Sequence, residues 1–389
     1  MKKFPLLLLL SMFFFVSCIQ DEAPNAEADI VSCVLDGNVL KRPPLIENDK
    51  VTLVVSVGVN AANLAPQFEL TPGATIEPPS GTARNFTFPQ TYTVTSEDKK
   101  WKKTYTVTVQ QDRSILSDYD FEGVSLVRVE NPGSYPYHYH QIEEVDSQGS
   151  TTLVWASGNS GFVLAAKLDG LPDDPTVFPT CSWDEGRTGK CVKLVTCRPK
   201  ASAAGNFGSD LKMPIAAGNL FTGKFVLENI NEPAVCTHFG AGEVFPYRPI
   251  SLEGYFKYKA GATMTVGTPE QHKHDTDMWD IYAVLYDATK ATNSYLDGYN
   301  ILSDPSIVLL AHLPREERHE ADDWTHFFIE FQPFEGGTAF DEAKMKNGDY
   351  NLAIVMSSSE EGAYFNGAEG STLYVDDVKL HYEEEEGNQ

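Results

Sequence analysis

The sequence has few cysteines and no closely spaced pair of them. Six occur in 389 residues, and five of these follow Cys18: Cys33, Cys181, Cys191, Cys197 and Cys236. That number is too small for a disulfide-rich scaffold, and the absence of a CxxC spacing argues against a structural zinc site of the usual kind. An odd number of thiols leaves at least one unpaired. Buried free thiols are the simplest interpretation, and a disulfide from Cys181 to Cys191 or Cys197 is the alternative.

Positive charge is also scarce. The chain contains 30 lysines and arginines against 55 aspartates and glutamates, so its formal net charge is −25. A surface this acidic repels phosphate backbones and anionic lipids, which argues against nucleic-acid binding. It is suited to a partner that is neutral or cationic.

Long apolar segments are confined to the N-terminus. Residues 1–17, MKKFPLLLLLSMFFFVS, combine two lysines, an apolar run and a small residue. This layout predicts a secretory signal, because the run is too short for a stable transmembrane helix; a membrane anchor left in place is the alternative. FVSC resembles a bacterial lipobox, which implies that Cys18 becomes a lipidated N-terminus. IQDE is similar to the export tag of surface lipoproteins in glycan-foraging Gram-negative bacteria, which implies an outer-membrane or cell-surface location.

Helical periodicity is nearly absent from the remainder, which predicts an all-β protein. Residues 18–29 are polar and predict a lipidated, flexible stalk. Residues 30–112 predict an immunoglobulin-like β-sandwich, because TYTVTSEDKKWKKTYTVTV places two alternating runs around a polar turn. This region also resembles the Ig-like N-terminal domains of lipoproteins in such bacteria, which implies a spacer.

A larger domain is predicted over residues 117–383. Its β-rich segments are separated by long polar loops without a βαβ rhythm, which favours a two-sheet jelly roll. A short helix is predicted around TAFDEAKMKNG. Residues 384–389 predict a disordered acidic tail, and no repeat of solenoid or propeller length is visible.

The two ends of this domain carry a family resemblance. SSSEEGAYFNGAEGSTLYVDDVKL resembles the closing strands of the putative carbohydrate metabolism domain (PCMD), and YDFEG resembles its opening. LYVDDVKL is similar to the last strand of many jelly-roll carbohydrate-binding modules. The resemblance implies association with carbohydrate, without naming a reaction.

Alternation within three predicted strands separates an apolar face from a face that mixes aromatic and charged residues. Aromatic rings stack on sugar rings, and charged groups bond their hydroxyls. Loop aromatics could extend such a platform, although the same rings could instead fill the core, as is expected of Trp324. The predicted carbohydrate-binding residues are Trp155, Trp183, Tyr247, Glu253, Tyr255, Trp279, Asp280 and Tyr282.

Catalysis by paired carboxylates is a second possibility for the same faces. Glu253, Asp280 and Glu330 are candidates if their strands are neighbours, since glycoside hydrolysis needs two carboxyl groups about 5 Å or roughly 6.5–9.5 Å apart. In a chain with 55 acidic residues, three carboxylates on suitable strand faces are expected by chance. Simple binding is therefore favoured over hydrolysis.

Metal signals are weaker. Asp377 in YVDDV resembles the aspartate that meets oxygen ligands from the opening strand in related binding modules, which implies a structural calcium held with Asp120 or Glu122. The histidine pairs in YHYH and HKHDTD lack a clear third ligand and are expected to be loop histidines. No cofactor is required.

Three functions remain open. The leading hypothesis is a lipid-anchored protein that binds a polysaccharide or oligosaccharide near glycan-uptake machinery and contacts the membrane through its anchor alone. The second is a glycoside hydrolase. The third is a structural or adhesive surface protein, which would present a flat apolar patch instead of an aromatic groove.

Overall fold

The computed structural model describes residues 23–36, 39–41, 43–56, 59–112, 115–129, 137–163, 172–199, 213–229 and 232–383. The predicted signal (1–17), Cys18 and the predicted tail (384–389) lie outside the described residues. The chain divides into two compact units, residues 1–112 and 113–389; the sequence analysis placed the boundary between residues 112 and 117. Within the described ranges, no helix has the length and apolarity needed to span a membrane.

The described residues of the first unit form seven strands: β1 (Ile30–Val34), β2 (Leu45–Glu47), β3 (Lys50–Ser56), β4 (Gln67–Leu70), β5 (Thr75–Glu77), β6 (Gln90–Thr95) and β7 (Lys102–Asp112). Five form a sheet in the order β2-β3-β7-β6-β5, and β1 pairs with β4. The predicted hairpin is β6–β7, with Tyr92 opposite Tyr105. Both tyrosines are buried in a core that the two sheets share, so the alternation identified this core correctly.

The end of the predicted stalk is not free. Ala28 is buried, the backbone N–H of Asn25 donates to Glu97, and the Asp29 carboxylate accepts from Lys103 and Tyr105. Residues 25–29 therefore pack on the first unit. The prediction of a flexible stalk was wrong for them, because a polar sequence was judged without these distant partners.

The second unit is also built from strands. In chain order they are β8 (Asp118–Tyr119), β9 (Gly123–Val129), β10 (Tyr137–Val145), β11 (Thr151–Val154), β12 (Thr180–Trp183), β13 (Cys191–Val195), β14 (Asn219–Phe221), β15 (Gly223–Phe225), β16 (Thr237–Phe239), β17 (Arg248–Lys259), β18 (Met264–Thr265), β19 (Asp280–Asp287), β20 (Ile307–His312), β21 (Ala321–Glu330), β22 (Gln332–Pro333), β23 (Tyr350–Ser357), β24 (Gly367–Ala368) and β25 (Thr372–Glu383). A short helix, α1 (Glu342–Asn347), begins at the N-cap Asp341 and ends at Gly348 in the left-handed conformation, within the predicted segment.

Two sheets dominate this unit. Sheet A has the order β12-β13-β25-β17-β21, with β8 also paired to β25, and sheet B has the order β14-β23-β19-β20-β22. Leu252 and Phe256 of sheet A and Ile281 and Leu285 of sheet B meet in one apolar core. The all-β, two-sandwich architecture predicted from the sequence is confirmed.

Sheet B is covered on both faces. Every residue of β19 is buried, and the face opposite the main core packs Tyr282, Val284 and Tyr286 in a second apolar cluster with Phe239 and Leu296. Loops therefore lie over this sheet, and a site on its outer face must be a cavity beneath them. The outer face of sheet A instead carries half-buried and exposed side chains, both polar and aromatic, among them Glu253, Tyr255 and Phe328.

The thiols are unpaired. Cys33, Cys181, Cys191, Cys197 and Cys236 are all free, and all except the half-buried Cys197 are buried. The alternative of a disulfide from Cys181 was wrong, and buried thiols are what the structure contains.

Candidate functional site

A cavity of about 560 Å³ lies on the outer face of sheet B. One end is formed by polar and charged residues at the start of β19, at the end of β20 and in the loops that follow β20 and β23: Asp280, His312, Arg315, Arg318 and Glu360. The other end is mostly apolar and aromatic and comes from the covering loops. We call the charged end the polar floor of the cavity and the apolar, aromatic end its wall. A few polar groups beside apolar walls are the usual composition of a small-molecule site.

The charged end is organised around one guanidinium. Arg318 Nη1 lies 2.9 Å from Asp280 Oδ1, and Arg318 Nη2 lies 2.9 Å from Glu360 Oε2. His312 Nε2 is 2.7 Å from the same Asp280 oxygen, and Arg315 contacts Glu360. Asp280 and His312 are close because their strands, β19 and β20, are neighbours. Both carboxylates are thus engaged as acceptors from cationic groups.

The local sequence explains why these groups face the cavity. Ile281, Ala283 and Leu285 point into the core between the sheets, so Asp280 and Tyr282 face the other way. Arg318 follows a short 3-10 turn at Arg315–Glu317 after β20, and Glu360 follows β23. Its backbone N–H donates to the carbonyl oxygen of Met278 at 2.9 Å, which holds the Glu360 turn beside the start of β19.

Aromatic residues form part of the opposite wall. Tyr299 is 42% exposed, and its ring centroid lies 5.8 Å from that of Tyr364. Tyr282 lies deeper, with its ring 5.4 Å from the His312 imidazole. Exposed and buried aromatic faces therefore flank the polar floor, an arrangement that suits a sugar ring with its hydroxyl groups.

Three potential metal donors sit at the cavity rim. Donor atoms of His274, Glu360 and Glu361 all lie within 4.8 Å of one another. Arg315 and Arg318 both form ion pairs with Glu360, however, so a metal cation would have to compete with two guanidinium groups for this carboxylate. Burial lowers the pKa of Arg315, and the nearby charge of Arg318 lowers it further. Burial also lowers the pKa of His274, with a further contribution from the charge of Arg315. The carboxylate that a metal would need, Glu360, is thus already paired with arginine.

Asp280 and Tyr282 are the predicted residues that line the cavity. Glu253 and Tyr255 do not, because they alternate with core residues Leu252 and Phe256 and so face outward from sheet A. Glu253 and Asp280 therefore lie on opposite outer faces with the core between them. The predicted convergence of these acids in one cleft was wrong.

Glu330 is also separate from the cavity. It is exposed at the end of β21 in sheet A, paired in register with Ser251. Glu253 instead lies between two imidazoles, 3.0 Å from His326 Nε2 and 2.7 Å from His381 Nε2. The three proposed catalytic acids accordingly occupy three different environments.

Two predicted tryptophans belong to the core. Trp155 is fully buried and its Nε1 donates to Glu144 at 2.7 Å; Trp279 is 1% exposed and donates to the carbonyl oxygen of His319. Neither ring can stack on a ligand, so the prediction that they extend a platform was wrong. Burial with one satisfied N–H is the common arrangement for this side chain. Tyr247 is half-buried and stacks on Tyr382, with ring centroids 4.9 Å apart.

The residues proposed for calcium have other partners. Asp377 accepts from Arg187, Glu122 accepts from the backbone N–H of Lys190, and Asp120 accepts from that of Glu122. Direct pairing of β8 with β25 already joins the two ends of the domain. The calcium site stays a prediction.

Sequence reasoning missed Arg315, Arg318, Glu360 and Glu361. They belong to loop segments, PREERHE and SSSEEG, whose polarity is typical of solvent-exposed loops. His274 was considered as half of a histidine pair without a third ligand, and the acids beside it come from a turn far along the chain. No local pattern signals such a grouping.

Two family models match parts of this chain. The model described as "Putative carbohydrate metabolism domain" matches residues 120–381, which is more than half of the chain. The chain belongs to this family. The PCMD region corresponds to the second unit, and residues 44–109 in the first unit match the model "SGBP, N-terminal", named for surface glycan-binding proteins. Together the matches assign the protein a surface role related to glycans.

Two solved structures are similar to this chain. A protein from Bacteroides thetaiotaomicron described as a "putative glycoside hydrolase" is 42% identical, covers 94% of this chain and all of its own, and has a TM-score of 0.61. Another from Bacteroides vulgatus, described in the same words, is 36% identical over 70% of this chain and all of its own, with a TM-score of 0.58. No curated protein matches the sequence.

Proposed function

We propose that this protein binds a neutral oligosaccharide or polysaccharide segment in the sheet B cavity. The observation that carries the proposal is the combination of the Arg318–Asp280–Glu360 cluster with the Tyr299–Tyr364 wall in one cavity. Guanidinium and carboxylate groups exchange hydrogen bonds with hydroxyls, and the tyrosine rings offer apolar faces to the sugar. The family matches support a glycan as the ligand.

The test is titration of residues 19–389 with a panel of neutral plant and host glycans, followed by calorimetry. Tyr299→Ala should weaken binding about tenfold, equivalent to about 1.4 kcal/mol, because the sugar loses an aromatic ring to stack on. Tyr299 is exposed at the cavity, so its replacement should leave the core intact. Trp101→Ala, an exposed aromatic in the first unit, is the matched control and should not change affinity. If no glycan binds, or if both variants behave alike, the proposal fails.

A glycoside hydrolase is the second candidate, favoured by the descriptions of the two related structures. Asp280 and Glu360 are the acids that the cavity would offer. Hydrolysis needs one carboxyl group that can donate a proton to the leaving oxygen, whereas both of these accept from arginine. The test is the release of reducing ends from a glycan. Catalysis would be established if the wild-type protein releases them and the Asp280→Asn and Glu360→Gln variants do not, although both variants still bind the glycan.

We further propose that lipid on Cys18 anchors the protein at the outer membrane, near glycan-uptake machinery. The lipobox-like FVSC and the acidic IQDE support this location. Cys18→Ala should prevent incorporation of labelled fatty acid and move the protein from the membrane fraction to the soluble one. Unchanged membrane association in that variant would contradict the proposal.

A further inference from the structure

Five partly exposed side chains form a row across the outer face of sheet A. One comes from each of five neighbouring strands, in the order Trp183, Lys193, Tyr374, Lys257 and Trp324. We call this set the aromatic–lysine row. Lys193 is opposite Tyr374 in register, and Tyr374 is opposite Lys257. The row therefore runs perpendicular to the strands, over four inter-strand spacings or about 19 Å.

Each ammonium of the row lies between two rings. Lys193 Nζ is 3.9 Å from the Trp183 ring centroid and 5.8 Å from that of Tyr374. Lys257 Nζ is 5.1 Å from the centroid of Tyr374 and 4.7 Å from that of Trp324. Such contacts hold the lysines over the sheet face. Aromatic and cationic groups thus alternate along the whole row.

The two lysines are not used for ion pairs. Other lysines on or beside this sheet have carboxylate partners: Lys259 with Glu320 at 2.7 Å, and Lys379 with Asp118 at 2.8 Å. In the part of the chain that the structure describes, neither Lys193 nor Lys257 has a carboxylate within ion-pair distance. The two ammonium groups are thus in contact with aromatic rings and not with carboxylates.

We propose that the aromatic–lysine row binds an anionic polysaccharide. Uronate or sulfate groups would pair with Lys193 and Lys257, and sugar rings would stack on Trp183, Tyr374 and Trp324. This site is independent of the sheet B cavity, because it lies on the opposite sheet and shares no residue with it.

The overall charge of −25 opposes an anionic ligand at long range. At physiological ionic strength, however, charges more than about 8 Å apart are largely screened, so charges distant from the row contribute little. An acidic polysaccharide offers carboxylate or sulfate groups to the two lysines and apolar ring faces to the aromatic side chains beside them.

The experiment is affinity electrophoresis of residues 19–389 in gels containing polygalacturonate or chondroitin sulfate, with neutral galactan as the reference polymer. The wild-type protein should be retarded by an acidic polymer. The Lys193→Gln/Lys257→Gln variant should lose affinity at least about tenfold, and Trp183→Ala/Trp324→Ala should lose a similar amount. The matched control, Lys259→Gln/Lys379→Gln, removes the same charge from ion-paired lysines and should keep its affinity.

Three outcomes would overturn the proposal: no retardation of the wild type by either acidic polymer, equal losses in the two lysine variants, or retardation by single-stranded DNA as strong as by the polysaccharides. The Tyr299→Ala variant distinguishes binding at the row from binding in the sheet B cavity. It should leave retardation by the acidic polymer unchanged, so the proposal for the row can be wrong while that for the cavity is right, or the reverse.

Discussion

Arg318 and Asp280 form a buried ion pair at the edge of the sheet B cavity, with Nη1 2.9 Å from Oδ1 and both side chains under 10% exposed. Because the same guanidinium also binds Glu360, it joins the start of β19 to the turn after β23. The pair therefore serves both as the polar floor of the cavity and as a link between two parts of the PCMD unit. Removing either partner leaves an uncompensated charge in the interior.

Replacing the guanidinium should destabilise the PCMD unit. We expect Arg318→Met to lower its free energy of unfolding by about 3 kcal/mol, because Asp280 and Glu360 lose their shared donor. Urea unfolding followed by tryptophan fluorescence measures this, since four of the five tryptophans lie in that unit.

A double-mutant cycle gives the control for this prediction. Arg318→Met combined with Asp280→Asn should cost less than the sum of the single changes, because one buried charge is removed with its partner. Arg84→Met in the first unit, where the half-buried Arg84 donates to the carbonyl oxygen of Thr91, should leave the transition of the PCMD unit unchanged. Additive costs in the cycle would contradict the assigned coupling.

Burial separates two tryptophans that the sequence could not distinguish. Trp279→Phe should destabilise the PCMD unit by about 1–3 kcal/mol, because the smaller ring leaves a cavity around a buried position and the part-buried hydrogen bond to the carbonyl oxygen of His319 is lost. Trp183→Phe should change stability by less than about 0.5 kcal/mol, since the ring is partly exposed. Thermal unfolding of both variants measures the difference, and equal effects would contradict the assignment of Trp279 to the core.

Much of the fold could be predicted because its signal is local. Alternation in TYTVT and GYFKYK assigned the faces of β6 and β17 correctly, since a strand places successive side chains on opposite faces. Which sheet a strand joins is not local: β17 pairs with β21 and β25, whereas β19 pairs with β20 and β23. For that reason the sequence predicted which face of its strand Glu253 and Asp280 each lie on, but it did not predict that the two residues lie on different sheets.

The grouping of Arg318 with Asp280 and Glu360 in the cavity has no local signal. Asp280 and Glu360 lie 38 and 42 residues from Arg318 in sequence and are brought together by strand order and loop packing. In the same way, Trp324 was expected to be a packing residue, although pairing of β21 with β17 places it beside Lys257 on an outer face. Only tertiary structure supplies these groupings.

The free thiols should be unreactive in the folded protein. Burial raises the pKa of Cys33 and Cys191 to about 12 and that of Cys181 to about 11, so the reactive thiolate is scarce at neutral pH. Residues 19–389 should react with a thiol reagent slowly in native buffer and at five sites in denaturant. Rapid native labelling of more than the half-buried Cys197 would contradict the burial of these thiols.

Glu144 should make stability depend on pH. Burial raises its pKa to about 7 although Trp155 and the backbone N–H groups of Asp120 and Phe121 donate to it. Between the unfolded value near 4.5 and about 7, the folded state holds the proton and the unfolded state does not. The stabilising contribution is therefore complete below pH 4.5 and is lost as the pH rises through about 7.

The Glu144→Gln variant isolates this contribution, because glutamine fills the same space and does not titrate. We expect the free energy of unfolding of the wild type minus that of the variant to fall by about 2–3 kcal/mol from pH 4.5 to pH 7.5. Urea unfolding at several pH values measures the difference, and using the difference cancels the titration of all other groups. A constant difference would mean that the three donors keep Glu144 ionised throughout, and a rising one would reverse the sign of the linkage.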